Sequence, residues 1–491
     1  MPVFSPRRYQ QPFLPVHPDP WPVRVLTAVE RLIKGALFGC RMCGNCILQE
    51  TAFVCPMTCA KGMRNGPCGG ATPGRCEVEP SRPCTWHLIY RRSERMGRLD
   101  RLLEVQAPLD GLRTGHETWL SLLSTWRTRG RGPRPLDALF NRERFRREWD
   151  ELFLAVRQPE WWGGDARYHP TGDEQPVSYL EARLRSGAFV VTAEIAPPLG
   201  VSSAALRAKA EMLKGYVTAA NLTDNASASA RVNSLASSAI CQEAGLEPVL
   251  QLQARDRSRV VVQADAIGAA ALGIRNILCL TGDHHRFGLL PTSTPNQFDL
   301  DAVQMLWMLR RLRDEGRYLD GRTTKARPPL FLGAAASPFG IEPHLDAIRI
   351  EKKIHAGAQF LQTQPVFDYE RFTGWLEALD RRGLLGKVFI LAGLVPLKSV
   401  EAARFMANVP GVYLPADVIG RMEVAGEKGA PQEEGVAIAL EMIERLKVTP
   451  GIHGMHVMAV HWEEVVPRLV AEAGLHDSSA DRPADESPAR P

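Results

Sequence analysis

Downstream of Ser186 the chain alternates short apolar runs of strand length with longer amphipathic stretches at a nearly constant spacing. The apolar runs are residues 189–195, 217–222, 248–253, 276–280, 330–335, 360–363, 388–392 and 454–457, eight in all. Between them, residues 203–213, 231–243, 260–272, 299–312, 343–356 and 369–380 carry apolar positions at helical spacing. Strand followed by helix, repeated, predicts a parallel sheet, because each crossover must run back along the sheet face. Eight such units in about 290 residues are the arithmetic of an α/β fold of the (β/α)8 TIM-barrel type. A doubly wound open sheet is the competing arrangement, but no G-x-G-x-x-G follows the first strand.

The region before the barrel follows a different pattern. Residues 1–22 are a proline-rich stretch expected to be a disordered arm, and Val25, Val29, Leu32, Ile33 and Ala36 predict a helix leading into a cysteine-rich module over 23–93. Residues 94–182 alternate Arg-rich helical stretches with Trp and Pro, including Trp119, Trp126, Trp149, Trp161 and Trp162, and are expected to form a helical connector. The barrel is placed at 183–474, and the Ser-, Asp- and Pro-rich residues 475–491 are expected to be a disordered tail.

A chain of 491 residues with 45% hydrophobic and 23% charged residues has the composition of a globular protein of two or three domains. The longest apolar candidate, Val260–Ile274, is broken by Gln263 and Asp265 and falls short of the ~18 residues a spanning helix needs, so no membrane association is expected. The N-terminal stretch lacks the order of a signal peptide, which places the chain in the cytoplasm. Sixty basic against 55 acidic residues is too small an excess to argue for nucleic acid. The local run Arg142, Arg144, Arg146 and Arg147, beside Glu143, Glu148 and Asp150, reads as a solvated helical face.

Cysteine usage is uneven. Cys40, Cys43, Cys46, Cys55, Cys59, Cys68, Cys76 and Cys84 crowd into 45 residues, and Cys241 and Cys279 alone lie elsewhere. Thiols this dense in a reducing compartment are candidate metal ligands, with disulfides the weaker alternative. The C-x-x-C-x-x-C run followed by Cys55-Pro56 resembles bacterial ferredoxin cluster binding, although eight residues in place of three precede Cys55. Eight ligands suit two 4Fe-4S clusters; structural zinc remains the alternative, and spacing does not divide the cysteines between sites.

In a barrel of this kind chemistry belongs at the carboxyl ends of the strands. There the sequence places Glu194 before Ile195-Ala196-Pro197-Pro198, Thr223-Asp224-Asn225, Gln251 and Gln253, Thr281-Gly282-Asp283-His284-His285, and Gln364. Single polar residues at strand ends often only make the next turn or cap the next helix. Glu194 is different, because apolar neighbours on both sides would desolvate it and favour the neutral acid that can donate a proton. Adjacent His284 and His285 suggest a metal only weakly, since neighbouring side chains seldom converge on one ion.

Glu194 within T-A-E-I-A-P-P, Thr281-Gly282-Asp283, Ala356-Gly357-Ala358, and Thr363-Gln364 ahead of Phe367-Asp368 resemble methylenetetrahydrofolate reductase over about residues 187 to 473. Cys55-Pro56-Met57-x-Cys59 and Asn65-Gly66-Pro67-Cys68-Gly69-Gly70 resemble the cysteine-rich partner domain found beside or fused to such reductases. The resemblance implies reduction of 5,10-methylenetetrahydrofolate to 5-methyltetrahydrofolate by hydride from a reduced flavin, FAD or FMN. It implies Glu194 as general acid, Asp283 as the carboxylate near flavin and pterin, and Gln364 as a substrate-binding amide. It further implies flavin contacts from Thr223, Gln251, Thr281, Gly282, Asp283, Asp346 and Lys353. Gln251 stands where a flavin-contacting His is common, and Met455-His456-Val457-Met458 up to Trp462 replaces a folate-touching Tyr and Arg. These departures leave NAD(P)H open as the reductant against ferredoxin or a partner reductase acting through the cysteine module; an oligomer is expected. Two other functions compete: a pterin-binding barrel that transfers a methyl group without redox chemistry, and a non-catalytic electron-transfer or docking subunit.

Overall fold

Each of the eight apolar runs becomes a strand: β1 Val190–Ile195, β2 Ala219–Leu222, β3 Pro248–Gln253, β4 Asn276–Leu280, β5 Phe331–Ala336, β6 Phe360–Pro365, β7 Phe389–Leu394 and β8 Gly454–Val457. In the computed structural model, which describes residues 20–71, 74–129, 134, 136–157, 162, 175–288 and 298–476, the strands pair in parallel in chain order. β8 then pairs back with β1, Thr192 opposite His456, and the sheet is a closed barrel. The arm at 1–22 and the tail at 475–491 lie almost wholly outside the described residues, as does Trp161.

Side chains on a strand alternate between faces. Val191, Ala193 and Ile195 of β1 therefore join Leu222, Leu250, Ile277, Leu332, Leu361, Ile390 and Val457 in the apolar layer under the helices. Their neighbours Val190, Thr192 and Glu194 face the barrel interior, where Val190 meets Ala219, Val249, Leu278, Phe331, Phe360 and Leu391. The helix Tyr179–Arg185 adds Leu180 and Leu184 to that interior cluster. This plug closes the amino end of the barrel and leaves the carboxyl end for chemistry. Several strand-to-helix loops finish on a capping side chain: Ser202, Asn233, Ser258, Asp301, Asp368 and Ser399 each accept a first-turn backbone N–H. No helix among the described residues is long and apolar enough to cross a membrane.

Contacts group Ile47–Leu109 and Gln158–Pro491 as one unit, and Met1–Cys46 with Asp110–Arg157 as another. The physical reason lies in a shared core: Met63, Ala71, Trp86, Ile89, Tyr90, Leu102 and Leu103 are buried together with Leu345 and Ile348 of the barrel helix Pro343–Ala356. Trp162 of the expected connector likewise stacks on Trp307, ring centroids 3.6 Å apart, and so belongs to the barrel layer.

The other unit contains helices Trp21–Phe38, Trp119–Arg129, Asp137–Phe140 and Arg142–Arg157. Within it the buried Glu30 carboxylate accepts the backbone N–H groups of Thr118 (2.9 Å) and Trp119 (3.1 Å), so an acidic side chain sits at the start of the second helix, where the helix dipole favours it. Lys34 pairs with Glu30 and donates to Thr118, and its Nζ lies 3.9 Å from the Cys46 sulfur. Arg144 pairs with Glu148 at 2.8 Å, as expected of a solvated face.

Because residues 47–109 share a core with the barrel, shortening Ile89 to Ala is expected to cost about 2–5 kcal/mol and to move the main urea transition followed by circular dichroism. A separate minor transition, with the main one unmoved, would show that this segment folds on its own.

Candidate active site

The barrel interior becomes polar toward its carboxyl end. Thr192, Asn221, Gln362 and His456 are all buried and bonded to one another. The Asn221 amide donates to Gln362 Oε1 (2.6 Å), and Gln362 Nε2 donates back to Asn221 Oδ1 (3.0 Å) and to Thr192 Oγ1 (3.3 Å). Thr192 Oγ1 lies 3.0 Å from His456 Nδ1. A buried polar layer is tolerated only when its groups find partners, and this one forms a connected floor. None of these four was singled out as a site residue from sequence. The signal was available in parity on β1, where Thr192 stands two positions before Glu194 on the same face of the strand.

One inward step above this floor on β1 lies Glu194. Its Oε2 accepts from Gln251 Nε2 at 3.3 Å and lies 3.9 Å from His456 Nε2, and its side chain is 24% exposed. The apolar surroundings inferred from Ile195, Pro197 and Pro198 do not materialise, since those residues flank Glu194 in sequence while polar side chains face it across the barrel. Thr223, at the end of β2, is buried and its Oγ1 has no hydrogen-bond partner, so an unsatisfied hydroxyl borders the mouth. Gln364 is half-buried on β6 at a register irregularity between Gln362 and Pro365. Such bulges re-aim side chains near functional sites. Gly393 on β7 makes room for it, because a Cβ there would press on the Thr363 and Gln364 backbone.

The loop after β4 holds Asp283 on the opposite rim. Asp283 is exposed, and its Oδ2 accepts the Ser227 N–H at 2.8 Å. Ser227 belongs to a β2 loop in which Asn225, Ser227 and Ala228 all adopt left-handed backbone (φ 46°, 53° and 52°). Non-glycine residues adopt that region at a cost, and clustered instances mark functional loops. Gly282 has φ 93° and no room for a Cβ beside Gln253 and Arg255. Arg255 reaches the Asp283 carbonyl (3.0 Å) and the Asn225 carbonyl (2.8 Å), tying the two loops together. Thr281 accepts from the Ala302 N–H at 3.4 Å. Asp224 is spent internally, paired with Arg257 at 2.6 Å.

Asp346 and Lys353 occupy a different place. Both are buried in the helix Pro343–Ala356. Asp346 accepts from Trp375 Nε1 (2.7 Å) and pairs with Arg349 (2.6 Å); Lys353 donates to the Ala335 carbonyl. Burial, with the Arg349 charge beside it, pushes the Lys353 ammonium down to about 7. His284 and His285 diverge: His284 Nδ1 accepts the Arg286 N–H and His285 pairs with Asp256 at 2.7 Å. Among the described residues no three His, Cys, Asp or Glu side chains are gathered as for a single metal ion.

A contribution that sequence reasoning missed comes from outside the barrel. Lys61, 5% exposed, donates to the Gly282 carbonyl at 2.9 Å and pairs with Glu77. The Arg64 N–H and the Asn65 amide both reach Asp301 Oδ2 at the start of the helix Ala302–Glu315 (3.2 and 3.0 Å). Asn65 also exchanges bonds with Gln106, which explains the asparagine of the N-G-P-C-G-G stretch. Gly69, at φ 102°, lies so close to Ser337 that a Cβ would stand 2.5 Å from its hydroxyl. Glycine there is what lets the segment seat on the loop after β5.

The geometry defines a closed (β/α)8 barrel with a carboxylate held at its open mouth above a bonded polar floor. Residues 179–474 match the family model for methylenetetrahydrofolate reductase, and the chain belongs to that family. Residues 23–111 match the model described as methylene-tetrahydrofolate reductase C terminal, here lying ahead of the barrel. Methylenetetrahydrofolate reductases 1 and 2 of Schizosaccharomyces pombe are 24% and 22% identical over 48% and 46% of this chain. The matched regions span 37% and 35% of those proteins, so this chain covers about a third of their length. An uncharacterized protein from Clostridium thermocellum, described as binding two copies of 5-methyl-5,6,7,8-tetrahydrofolic acid, aligns over 60% of this chain and 98% of its own, at 15% identity and a TM-score of 0.44.

The Lys353 environment sets a pH dependence. Unfolded, the lysine holds its proton to about 10.5; folded, it releases it near 7. Between those values the unfolded state binds more protons, so stability should rise with pH. Buried Lys352, lowered to about 8, acts in the same direction. The urea midpoint of Lys353→Met should therefore climb less between pH 7 and pH 10 than that of the parent protein, and equal slopes would contradict a neutral buried amine.

Proposed function

We propose that the barrel reduces 5,10-methylenetetrahydrofolate to 5-methyltetrahydrofolate. The observation that carries this is Glu194, held at the mouth by Gln251 and His456 in a chain of the methylenetetrahydrofolate reductase family. A bound flavin supplies hydride from its reduced N5. Its ring would find donors in the unpartnered Thr223 hydroxyl and the Gln251 amide at the mouth. Asp346 and Lys353 are already bonded inside the protein, and neither is assigned to the flavin tail.

Each residue then has a task. Glu194 gives its proton to N10 of the substrate as the bond from N10 to the methylene carbon opens, leaving a 5-iminium cation that accepts the hydride at that carbon. Asp283, fixed by the Ser227 N–H, sets a negative charge near that cation, and charge placed in advance lowers the barrier to forming it. Gln364 offers both a donor and an acceptor to the pterin edge. Gln251 and His456 hold the Glu194 carboxyl in one orientation. NAD(P)H, or ferredoxin or a partner reductase acting through centres that the cysteine-rich module would hold, would supply the reducing equivalents. Reduced thiols of that kind suit a cytoplasmic setting.

Glu194→Gln should lower the rate of 5-methyltetrahydrofolate formation by about 10²-fold or more while flavin content and the rate of flavin reduction stay near those of the parent. An unchanged turnover rate would remove Glu194 from the role of acid. Colourless purified protein that still moves a methyl group would favour the non-redox alternative.

A further inference from the structure

The loop after β4 is gripped by two buried cations that come from different parts of the chain. Arg255, 1% exposed and on the loop after β3, donates to the Asp283 carbonyl at 3.0 Å. Lys61, from the segment ahead of the barrel, donates to the Gly282 carbonyl at 2.9 Å. Two consecutive carbonyls are thus held, one from within the barrel and one from outside it. A further tie runs the other way, since the Arg286 guanidinium donates to the Val78 carbonyl. The loop that carries Asp283 is therefore fastened to residues 61–78 at both Gly282 and Arg286.

Lys61 is itself fixed. An ammonium removed from water is costly unless oxygen atoms replace its hydration, and here the Glu77 carboxylate and the Gly282 carbonyl do so. Glu77 also accepts from the Cys68 thiol at 3.2 Å, and it can lie where it does because Gly70 has no Cβ to meet it. A buried cation pinned by a carboxylate on one side can hold a backbone carbonyl on the other.

What the Gly282 carbonyl carries with it is the next side chain. Asp283 is exposed on the rim, and its Oδ2 takes the Ser227 N–H at 2.8 Å. An exposed side chain on a loop keeps its place only as far as the backbone under it does. Rotation of the peptide between Gly282 and Asp283 would swing the carboxylate away from Ser227. The opposite charges of Lys61 and Asp283 also attract one another, which works against that swing.

We propose that Lys61 is a positioning residue for the reduction: by holding the Gly282 carbonyl from outside the barrel, it fixes the Asp283 carboxylate at the mouth. The inference rests on the role given to Asp283 in the proposed reaction. It makes the segment ahead of the barrel a working part of the site, because a side chain the barrel does not contain sets the charge that faces the developing cation.

The test is steady-state kinetics of the full chain together with amide hydrogen exchange, which needs no substrate, on variants matched to the parent in flavin and metal content. Lys61→Met should lower kcat for 5-methyltetrahydrofolate formation by about 10- to 100-fold. KM should stay within about two-fold of the parent, because a charge that acts on the developing cation matters after the substrate is bound. Asp283→Asn should lower kcat at least as far, and the double variant should lose no more than Asp283→Asn alone, since Lys61 acts through Asp283. Amides of residues 281–287 and of Ser227 should exchange faster in Lys61→Met, while those of Trp86 and Ile89 in the shared core stay protected. Additive losses, a parental kcat in Lys61→Met where Asp283→Asn is impaired, or parental exchange over residues 281–287 would overturn the assignment. Should Lys61→Met lose its fold, seen as lost protection at Ile89, the neutral and shorter Lys61→Gln takes its place with the same expected pattern and the same overturning results. A parent protein that forms no 5-methyltetrahydrofolate would sink the proposed reaction, and exchange over residues 281–287 would still decide whether Lys61 holds the loop.

Discussion

Pairing of β1 with β8 is the constraint on which the rest of the molecule depends. With the ring closed, no strand can slip by one residue without turning every side chain to the other face. A slip in β1 would send Glu194 into the apolar layer under the helices and bring Ala193 inward. The closure is sterically tight at its base, where Gly454 of β8 faces the Val190 backbone with no space for a Cβ. Parity then stacks the interior along β1: Val190 in the apolar base, Thr192 in the bonded polar layer, and Glu194 at the mouth. The gradient from apolar to polar along the axis follows from three alternate residues of one strand and their partners around the ring.

The segment over residues 47–109 explains why some charged side chains of the barrel are not available at the mouth. Its apolar residues cover Leu345 and Ile348, and Tyr90 lies buried near Arg349 and Asp346. Under that cover Asp346 must find partners within the protein, and it takes Arg349 and the Trp375 indole. Lys353, one helical turn further along from Arg349, loses its hydration on burial and lies beside that cation, and its ammonium is held low. The helix Pro343–Ala356 thus serves as the seam between the barrel and the preceding segment.

The eight strands were legible because each is a short apolar run between longer amphipathic stretches, and both periods are local properties of sequence. The helices at 203–213, 343–356 and 369–380 match their expected limits for the same reason. Glu194 stood out as a carboxylate at a strand end. Its actual surroundings did not, since Gln251 and His456 come from strands some 60 and 260 residues away. The seating of residues 61–69 on the barrel was also hidden. A Gly- and Pro-rich stretch carries no periodicity, and its glycines are explained only by the Ser337 and Glu77 side chains they meet in three dimensions. Asp346 and Lys353 illustrate the opposite case: their place on a helix was readable, while the residues that cover that helix were not.

The contacts of that segment fall on one side of the rim. Lys61 reaches the loop after β4, Gly69 the loop after β5, and the Gly69 carbonyl also approaches Gly411, beyond β7. In a ring of eight strands β1 stands across from β5, so Glu194 lies on the far side of the mouth from the seated segment. Asp283 occupies the near side, on the same loop whose Gly282 carbonyl receives Lys61. The mouth therefore has Glu194 on one edge and the cysteine-bearing segment behind the other. Such a division needs no movement of the barrel itself, because both walls are fixed by strand register and by the shared core around Leu345.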